Sequence, residues 1–289
     1  MSDRPTRIRT VVARPETAVE ADPGTGLRIA GLLALLPTAA ILLVRVGINA
    51  PLTPDLPYSA VYDPIATLAV LGPAFGALLL SVTTRDDVWR ATLAFVGVFG
   101  VLSVVATPAV VPASVALVIA TGILVGGHAD RPFSADEIAE TLVGVLFFAG
   151  LTLSIAGGLG IEPATTRRLG SVAGLLAIAG APVFVEWRYR TVLVGVVAGG
   201  AFAAFGLAAP FVTGAASLVA GGIVGASLSI LVVAVVGGVT LVATGVDRGS
   251  YEPVVAGLLL LSAGVPATVP RGLAVVIALT LLLHPGTNQ

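Results

Sequence analysis

Ionisable side chains at the ends of apolar segments are the residues of this sequence best placed to bind or gate a charged solute. Arg45 lies near the end of the first apolar segment, and Asp63 lies in the first turn of the second. At a similar depth the two would form an ion pair and a substrate gate beside a proline-rich loop. The alternative, which we favour, is that Arg45 reaches the lipid headgroups and Asp63 interacts with the positive end of its helix.

A glycine cluster, Gly221, Gly222 and Gly225, lies inside the longest apolar run, residues 211–246. As one helix this run would be roughly 54 Å long, whereas the hydrocarbon core of a bilayer measures roughly 30 Å. The run is therefore a strongly tilted helix, a broken helix, or two short helices hinged near the glycines. A break would expose backbone carbonyls at membrane depth, which is tolerated only beside protein or a water-filled cavity. Such a break is typical of a transporter.

Residues for enzyme chemistry are scarce. The chain has no cysteine and no lysine, which excludes thiolate chemistry and a standard P-loop, and neither HExxH nor GxSxG occurs. His128 and Asp130 share a loop region with three further carboxylates, but their spacing is not diagnostic of a metal site, and solvation of the loop explains them. We therefore expect no catalytic residue, no metal site and no cofactor.

The elements that carry these residues are apolar segments of membrane-spanning length. Of the 289 residues, 56% are hydrophobic and 11% are charged, whereas a soluble domain carries about 25% charged residues. The charges cluster between apolar runs of about 17–22 residues, the length of a helix that crosses a bilayer. The sequence predicts an all-α fold, a polytopic transmembrane helical bundle of about ten spans, with nine to eleven possible.

The turns between the apolar runs divide the chain into spans and tails. We expect residues 1–26 to form a disordered, arginine-containing cytoplasmic tail, residues 27–284 a single transmembrane helical domain, and residues 285–289 a short C-terminal tail. The spans are approximately 27–48, 61–82, 91–106, 112–127, 135–158, 169–185, 191–208, 211–246, 254–265 and 271–283.

Arginine placement predicts the orientation of these spans in the membrane. The N-terminal tail and the turns 83–90 and 186–190 contain arginines and fall on one side of the bilayer. We expect this side to be cytoplasmic, with the protein in the plasma membrane. Arg167 and Arg168 fall on the other side, against the rule. No apolar stretch of the kind found in a cleaved signal peptide precedes the first span.

Two patterns concern how the helices pack. Residues 110–125 align without gaps with residues 268–283. The match is either a repeated hairpin in parallel orientation or a product of a sequence rich in valine, alanine and leucine.

Glycines four residues apart allow close helix contact, although about four such pairs arise by chance from 35 glycines in 289 residues. They predict a tightly packed bundle without specifying a dimer: Gly72/Gly76, Gly122/Gly126, Gly170/Gly174, Gly195/Gly199 and Gly221/Gly225.

The hairpin sequence LLLLSAGVPATVPRGLAVVIALTLLL, residues 258–283, resembles uncharacterised multi-pass membrane proteins of halophilic archaea. Some of these are encoded beside MoxR-type ATPases, so the resemblance implies an assembly or accessory role. It implies no site residue. In its size and number of spans the chain also resembles the drug/metabolite transporter superfamily, without sharing a motif with it.

Two classes of function follow. The first, which we favour, is a non-enzymatic membrane scaffold or accessory subunit, because catalytic motifs are absent and no ionisable residue lies near the middle of a span. The alternative is a small-solute transporter or permease, indicated by the glycine cluster and the candidate repeat. We expect the lipid bilayer to surround the protein, other membrane or membrane-associated proteins to be its partners as a scaffold, and no nucleic acid to bind.

Overall fold

Apolar helices follow one another along the chain, separated by prolines, glycines and charged turns. The computed structural model describes residues 23–49, 58–84, 86–127, 135–208 and 227–283. These ranges contain ten α-helices, two short 3-10 turns and no strand, which confirms a helical bundle of about ten helices. The α-helices are α1 (Pro23–Asn49), α2 (Tyr58–Thr83), α3 (Asp87–Val105), α4 (Val110–Gly126), α5 (Ala135–Gly158), α6 (Pro163–Gly180), α7 (Tyr189–Ala208), α8 (Leu228–Arg248), α9 (Tyr251–Ala263) and α10 (Val269–Leu283), and the 3-10 turns are Thr107–Ala109 and Ala181–Phe184.

Local sequence explains where several helices begin and end. The Asp86 carboxylate accepts hydrogen bonds from the backbone N–H groups of Val88 and Trp89, at 2.9 and 3.0 Å, and so caps the start of α3. Gly249 ends α8 with a φ of 65°, a left-handed conformation that glycine adopts without strain. The predicted tails lie outside the described residues, except for residues 23–26, which begin α1.

The first eight helices are long and apolar enough to cross a membrane. They run alternately in opposite directions. We call the end of the bundle at which α1 begins the N-terminal face, and the end at which α1 terminates the distal face. On the N-terminal face, ion pairs join the end of α8 to the turn between α6 and α7, from Arg188 to Asp247 and from Arg248 to Glu186. Helix α8 packs between α6, α7 and α9.

The long apolar run from 211 to 246 is not one continuous helix. Helix α8 begins at Leu228, and Ser227 before it has an extended backbone, with φ −62° and ψ 147°. The glycine cluster Gly221, Gly222 and Gly225 lies outside the described residues. The break that the sequence placed near these glycines therefore stays a prediction.

Helices α9 and α10 form a short hairpin that enters the bundle from the N-terminal face. They contain 13 and 15 residues, which corresponds to about 20 and 22 Å, less than a bilayer core of about 30 Å. The Tyr251 hydroxyl at the start of α9 donates a hydrogen bond to the backbone carbonyl oxygen of Arg28, at 3.0 Å. At the other end, Gly264, Val265 and Pro266 are buried. The first part of the tip is therefore packed inside the protein, while Thr268 is exposed and Ala267 lies against Gly158 at the distal end of α5.

Helix α10 is the central helix of the bundle. Every residue from Gly272 to Leu283 is buried, and α1, α2, α3, α4 and α9 pack around it. A helix that is apolar on all sides fits such surroundings. The outer helices instead expose large apolar side chains, including Leu36 at 66% and Val197 at 70%, as expected of a surface in contact with lipid.

Three of the predicted glycine pairs lie at helix contacts, as tight packing requires. Gly72/Gly76 face α1, Gly170/Gly174 face α5, and Gly195/Gly199 face α8. In Gly122/Gly126, Gly122 faces Phe148 of α5, whereas a Cβ added to Gly126 would meet nothing within 4 Å. Gly221/Gly225 lies outside the described residues. The pairs thus serve contacts within one chain.

Candidate functional site

The tip of the α9–α10 hairpin lies between two cavities that share Thr268 and Pro270. The larger cavity, about 260 Å³, is mostly apolar and includes the hydroxyls of Ser103 and Ser114. The smaller has a volume of about 50 Å³ and contains two arginines. We call it the arginine cavity. It is lined by the polar residues Thr38, Arg45, Ser262, Thr268 and Arg271 and by Ile41, Leu42, Ala66, Ala69 and Pro270.

The sequence of the tip, GVPATVPR, explains why the chain turns between α9 and α10. Gly264 has a φ of 57° and a ψ of −130°, a conformation open mainly to glycine. Two prolines follow, and Pro270 occupies the second position of α10, where a helix needs no backbone N–H donor from it. The turn therefore places Arg271 in the first helical turn of α10.

Arg271 is held at the tip by the backbone. Its Nη1 donates a hydrogen bond to the carbonyl oxygen of Val265, at 3.3 Å. A cation is unfavourable at the positive end of a helix. The fold must offset this effect and the partial burial of the guanidinium, so Arg271 is a residue for which a function is expected.

Arg45 approaches the same cavity from α1. Its Nη2 donates a hydrogen bond to the Tyr62 hydroxyl of α2, at 3.1 Å. Asp63, the next residue, is exposed, and no ion pair joins it to Arg45 among the ion pairs of the described residues. Of the predicted site residues, Arg45 therefore lines the cavity and Asp63 lies beside it.

The cavity extends to the middle of the bundle. Thr38 is only 4% exposed and lies near the centre of the 27-residue helix α1. Its hydroxyl donates to the carbonyl oxygen of Ala34 at 2.7 Å, which leaves its oxygen able to accept. Ser262 is partly buried and Thr268 is exposed. Hydroxyls thus accompany the two guanidinium groups from the mouth of the cavity to its base.

Sequence reasoning misses Arg271, because it places this residue at the membrane surface, at the start of a complete span. The signal that identifies it is length. The apolar runs 254–265 and 271–283 are both shorter than the 17–25 residues, roughly, of a transmembrane helix. Two such runs joined by a turn are each shorter than a complete span, which is the sequence signal that the arginine between them does not start an ordinary span.

Other polar residues have structural roles. Arg167 Nε donates to the carbonyl oxygen of Gly157 at 3.1 Å and so caps the end of α5, which accounts for an arginine on the distal face. Among the described residues no group of three His, Cys, Asp or Glu side chains could hold a metal ion. His128 and Asp130 lie outside these residues.

Comparison with known proteins identifies the chain at the level of a family. No curated protein and no solved structure matches it. A family model described as an integral membrane family of unknown function matches residues 28–283, a range that contains both helices of the hairpin and every residue of the arginine cavity. The chain therefore belongs to the integral membrane family of unknown function DUF8068.

Proposed function

We propose that this protein is a small-solute transporter or permease. The observation that carries the proposal is the α9–α10 hairpin, whose partly buried tip borders a polar cavity between the helices. Transporters commonly build substrate sites from interrupted helices that end at membrane depth. Irregular backbone is tolerated there when it is buried in protein or lines a wet cavity.

The contents of the cavity support transport over a purely structural role. A scaffold needs contacts between helices and an exposed surface for partners. Neither requires charged side chains in the interior. Here the space between α1, α2 and the hairpin tip instead holds Arg45 and Arg271 with three hydroxyl groups. Ionisable residues inside membrane bundles generally mark pathways for ions or substrates.

The distribution of arginines supports a cytoplasmic N-terminal face, and we place the protein in the plasma membrane. Outside the cavity, the described arginines on the distal face are Arg167 and Arg168. Those on the N-terminal face are Arg28, Arg90, Arg188, Arg190 and Arg248. Cytoplasmic loops carry the excess of arginine in membrane proteins. The proposal therefore opens the arginine cavity toward the outside of the cell.

A membrane scaffold or accessory subunit is the second candidate. It agrees with the resemblance of residues 258–283 to membrane proteins of halophilic archaea. The observation that favours it is α7, which among the described helices packs chiefly against α8 and exposes Val194, Val197 and Phe205 at 52–70%. No other described helix covers this face, which suits lipid or a helix of a partner protein. Both candidates are non-enzymatic.

Cysteine accessibility separates the two candidates, since the chain has no native cysteine. We expect Thr38→Cys and Ser262→Cys to react in intact membranes with an impermeant thiol reagent, because a transport cavity is filled with water. The matched control is Leu36→Cys, on the same helix as Thr38 but facing lipid. It should stay unlabelled, as should Ala278→Cys in the buried part of α10.

Transport itself is measured with the purified protein in lipid vesicles, by swelling in iso-osmotic solutions of small neutral, anionic and cationic solutes. Swelling above that of protein-free vesicles for any solute supports a permease. Protection of Thr38→Cys and Ser262→Cys together with vesicles that swell like protein-free ones would contradict the proposal, and the scaffold would then stand.

A further inference from the structure

We infer that the arginine cavity binds a small anion through a carboxylate or phosphate group. Binding follows from the cavity alone. That the transported solute is itself anionic rests in addition on the proposed transport function.

The charge of the cavity is the first step. The guanidinium groups of Arg45 and Arg271 line one small space, and no Asp or Glu occurs among the described residues that line it. Each arginine also makes further interactions, so neither depends on a ligand for a partner. Two cations in one cavity nevertheless favour an anion over a neutral or cationic solute, because low-dielectric walls strengthen the attraction.

The orientation of the donors is the second step. Tyr62 fixes one N–H of Arg45, and the Val265 carbonyl oxygen fixes one N–H of Arg271. A guanidinium has five N–H donors in a planar fork that matches carboxylate and phosphate oxygens two at a time. Ser262 and Thr268 add hydroxyl donors. This arrangement suits an oxyanion group.

The size and the remaining walls of the cavity narrow the class of ligand. A volume of about 50 Å³ holds a few water molecules, or one carboxylate or phosphate group, if one water needs roughly 10–15 Å³. Ile41, Leu42 and Pro270 form an apolar wall. A short-chain carboxylate, inorganic phosphate, or the phosphate of an anionic lipid headgroup fits this description, whereas a large polyanion does not.

Equilibrium binding to the full-length protein in a neutral detergent tests the inference without requiring transport. Sodium propionate and sodium phosphate are titrated at constant ionic strength, with sodium chloride as the reference, and thermal stabilisation is measured. We expect one or both to stabilise the wild type, and Arg271→Gln to weaken binding by roughly tenfold or more, because it removes the forked donor. Arg271→Lys, which keeps the charge, should bind with intermediate affinity.

Two variants serve as matched controls. Arg168→Gln removes an exposed arginine of the distal face that lies outside the cavity, and it should bind like the wild type. Arg45→Gln provides a second test if Arg271→Gln does not fold, and it should also weaken binding.

A lipid-retention experiment distinguishes the two sources of the anion, a lipid headgroup and a free solute. The protein is purified with phosphatidylglycerol or with phosphatidylcholine, and retained lipid is measured by native mass spectrometry. Retention of phosphatidylglycerol that Arg271→Gln loses, without a response to soluble anions, identifies a lipid headgroup as the ligand. A response to soluble anions identifies a free solute.

The inference is overturned if neither anion stabilises the wild type and no anionic lipid is retained through Arg271, or if Arg271→Gln and Arg168→Gln respond alike. These results are distinguishable from failure of the transport proposal. Anion binding without solute uptake would support the anion site and contradict the transport proposal. Uptake of neutral solutes without anion binding would support the transport proposal and contradict the anion site.

Discussion

Each arginine of the cavity is oriented in part by one hydrogen bond whose acceptor is known. Arg45 is held across the α1–α2 contact by the Tyr62 hydroxyl, and Arg271 is held within the hairpin by the Val265 carbonyl oxygen. Because the second acceptor belongs to the backbone, only the first can be removed by a substitution that leaves the chain's course unchanged. Tyr62 is therefore the residue at which positioning can be tested separately from charge.

Tyr62→Phe removes the hydroxyl that accepts from Arg45 and leaves the ring in place. We expect anion binding to weaken severalfold while the cavity keeps both positive charges. The free energy of unfolding should fall by about 1.5–3 kcal/mol or less, the range for hydrogen bonds to charged groups. Affinity for propionate or phosphate and thermal stability are measured together. Unchanged affinity would show that Tyr62 does not position Arg45.

Arg167 provides a contrasting case on the same face. Arg167→Gln removes the cap on the Gly157 carbonyl oxygen. The free energy of unfolding should therefore decrease by about 0.5–1.5 kcal/mol. Anion affinity should not change, because Arg167 lies outside the cavity. A loss of binding in this variant would mean that the distal face as a whole, and not the arginine cavity, attracts the anion.

At the scale of the helix, glycine determines how closely two helices approach. In α7, a Cβ on Gly195 or Gly199 would meet side chains and backbone of α8, whereas a Cβ on Gly200 would meet nothing within 4 Å. The three positions share one helix and one intrinsic propensity. Differences between their alanine variants therefore report the contact with α8.

Gly199→Ala and Gly195→Ala should lower the free energy of unfolding by about 1–3 kcal/mol, the usual effect of overpacking a contact. Gly200→Ala should be neutral, or stabilising by up to about 1 kcal/mol, because alanine favours the helix. Thermal or denaturant unfolding in detergent checks both. Equal effects at Gly199 and Gly200 would contradict the observed α7–α8 contact.

Gly264 matters for its backbone conformation. With a φ of 57° and a ψ of −130°, the residue lies in a region that costs a non-glycine residue about 1–3 kcal/mol. Gly264→Ala should therefore destabilise the protein by that amount and weaken anion binding, because the turn carries both Val265 and Arg271. Gly126→Ala, which meets nothing within 4 Å, is the control. A Gly264→Ala variant as stable as this control would argue against the turn.

For the whole molecule, periodicity and composition predict the helices, because a bilayer imposes length and apolarity on each span. The fifth helix, predicted as residues 135–158, has these limits in the structure. The site is predicted only in part. Arg45 is identified as an ionisable residue in an apolar segment, but its partner Tyr62 and its neighbour Arg271 come together through packing between distant parts of the chain.

The arrangement of α4 and α10 shows the same limit. Their sequences align at residues 110–125 and 268–283, and both helices run from the distal side toward the N-terminal face. Yet α4 exposes Val111, Val115 and Ile119 at 50–53%, while α10 is buried on all sides. Nearly identical patterns of valine, alanine and leucine thus occupy a lipid-facing and a central position, since both surroundings are apolar. Only the shortness of α9 and α10 distinguishes the two cases.

The depth of the hairpin tip is the last consequence of this arrangement, and an insertion tests it. An eight-residue polar tag placed after Pro266 would displace packed chain, because Gly264, Val265 and Pro266 are buried. A surface loop accepts such an insertion, whereas a buried turn does not. We expect this variant to lose its cooperative unfolding transition or to accumulate poorly in membranes.

The matched insertion follows Gly160, in the exposed turn between α5 and α6 on the same face, where a Cβ would meet nothing within 4 Å. This variant should keep wild-type stability and bind an antibody to the tag from outside intact cells. If the tag after Pro266 were equally accessible and equally tolerated, the tip would be a surface loop. Arg271 would then lie at a headgroup level, where an arginine needs no ligand. The cavity would lose the burial on which both the transport proposal and the anion site depend.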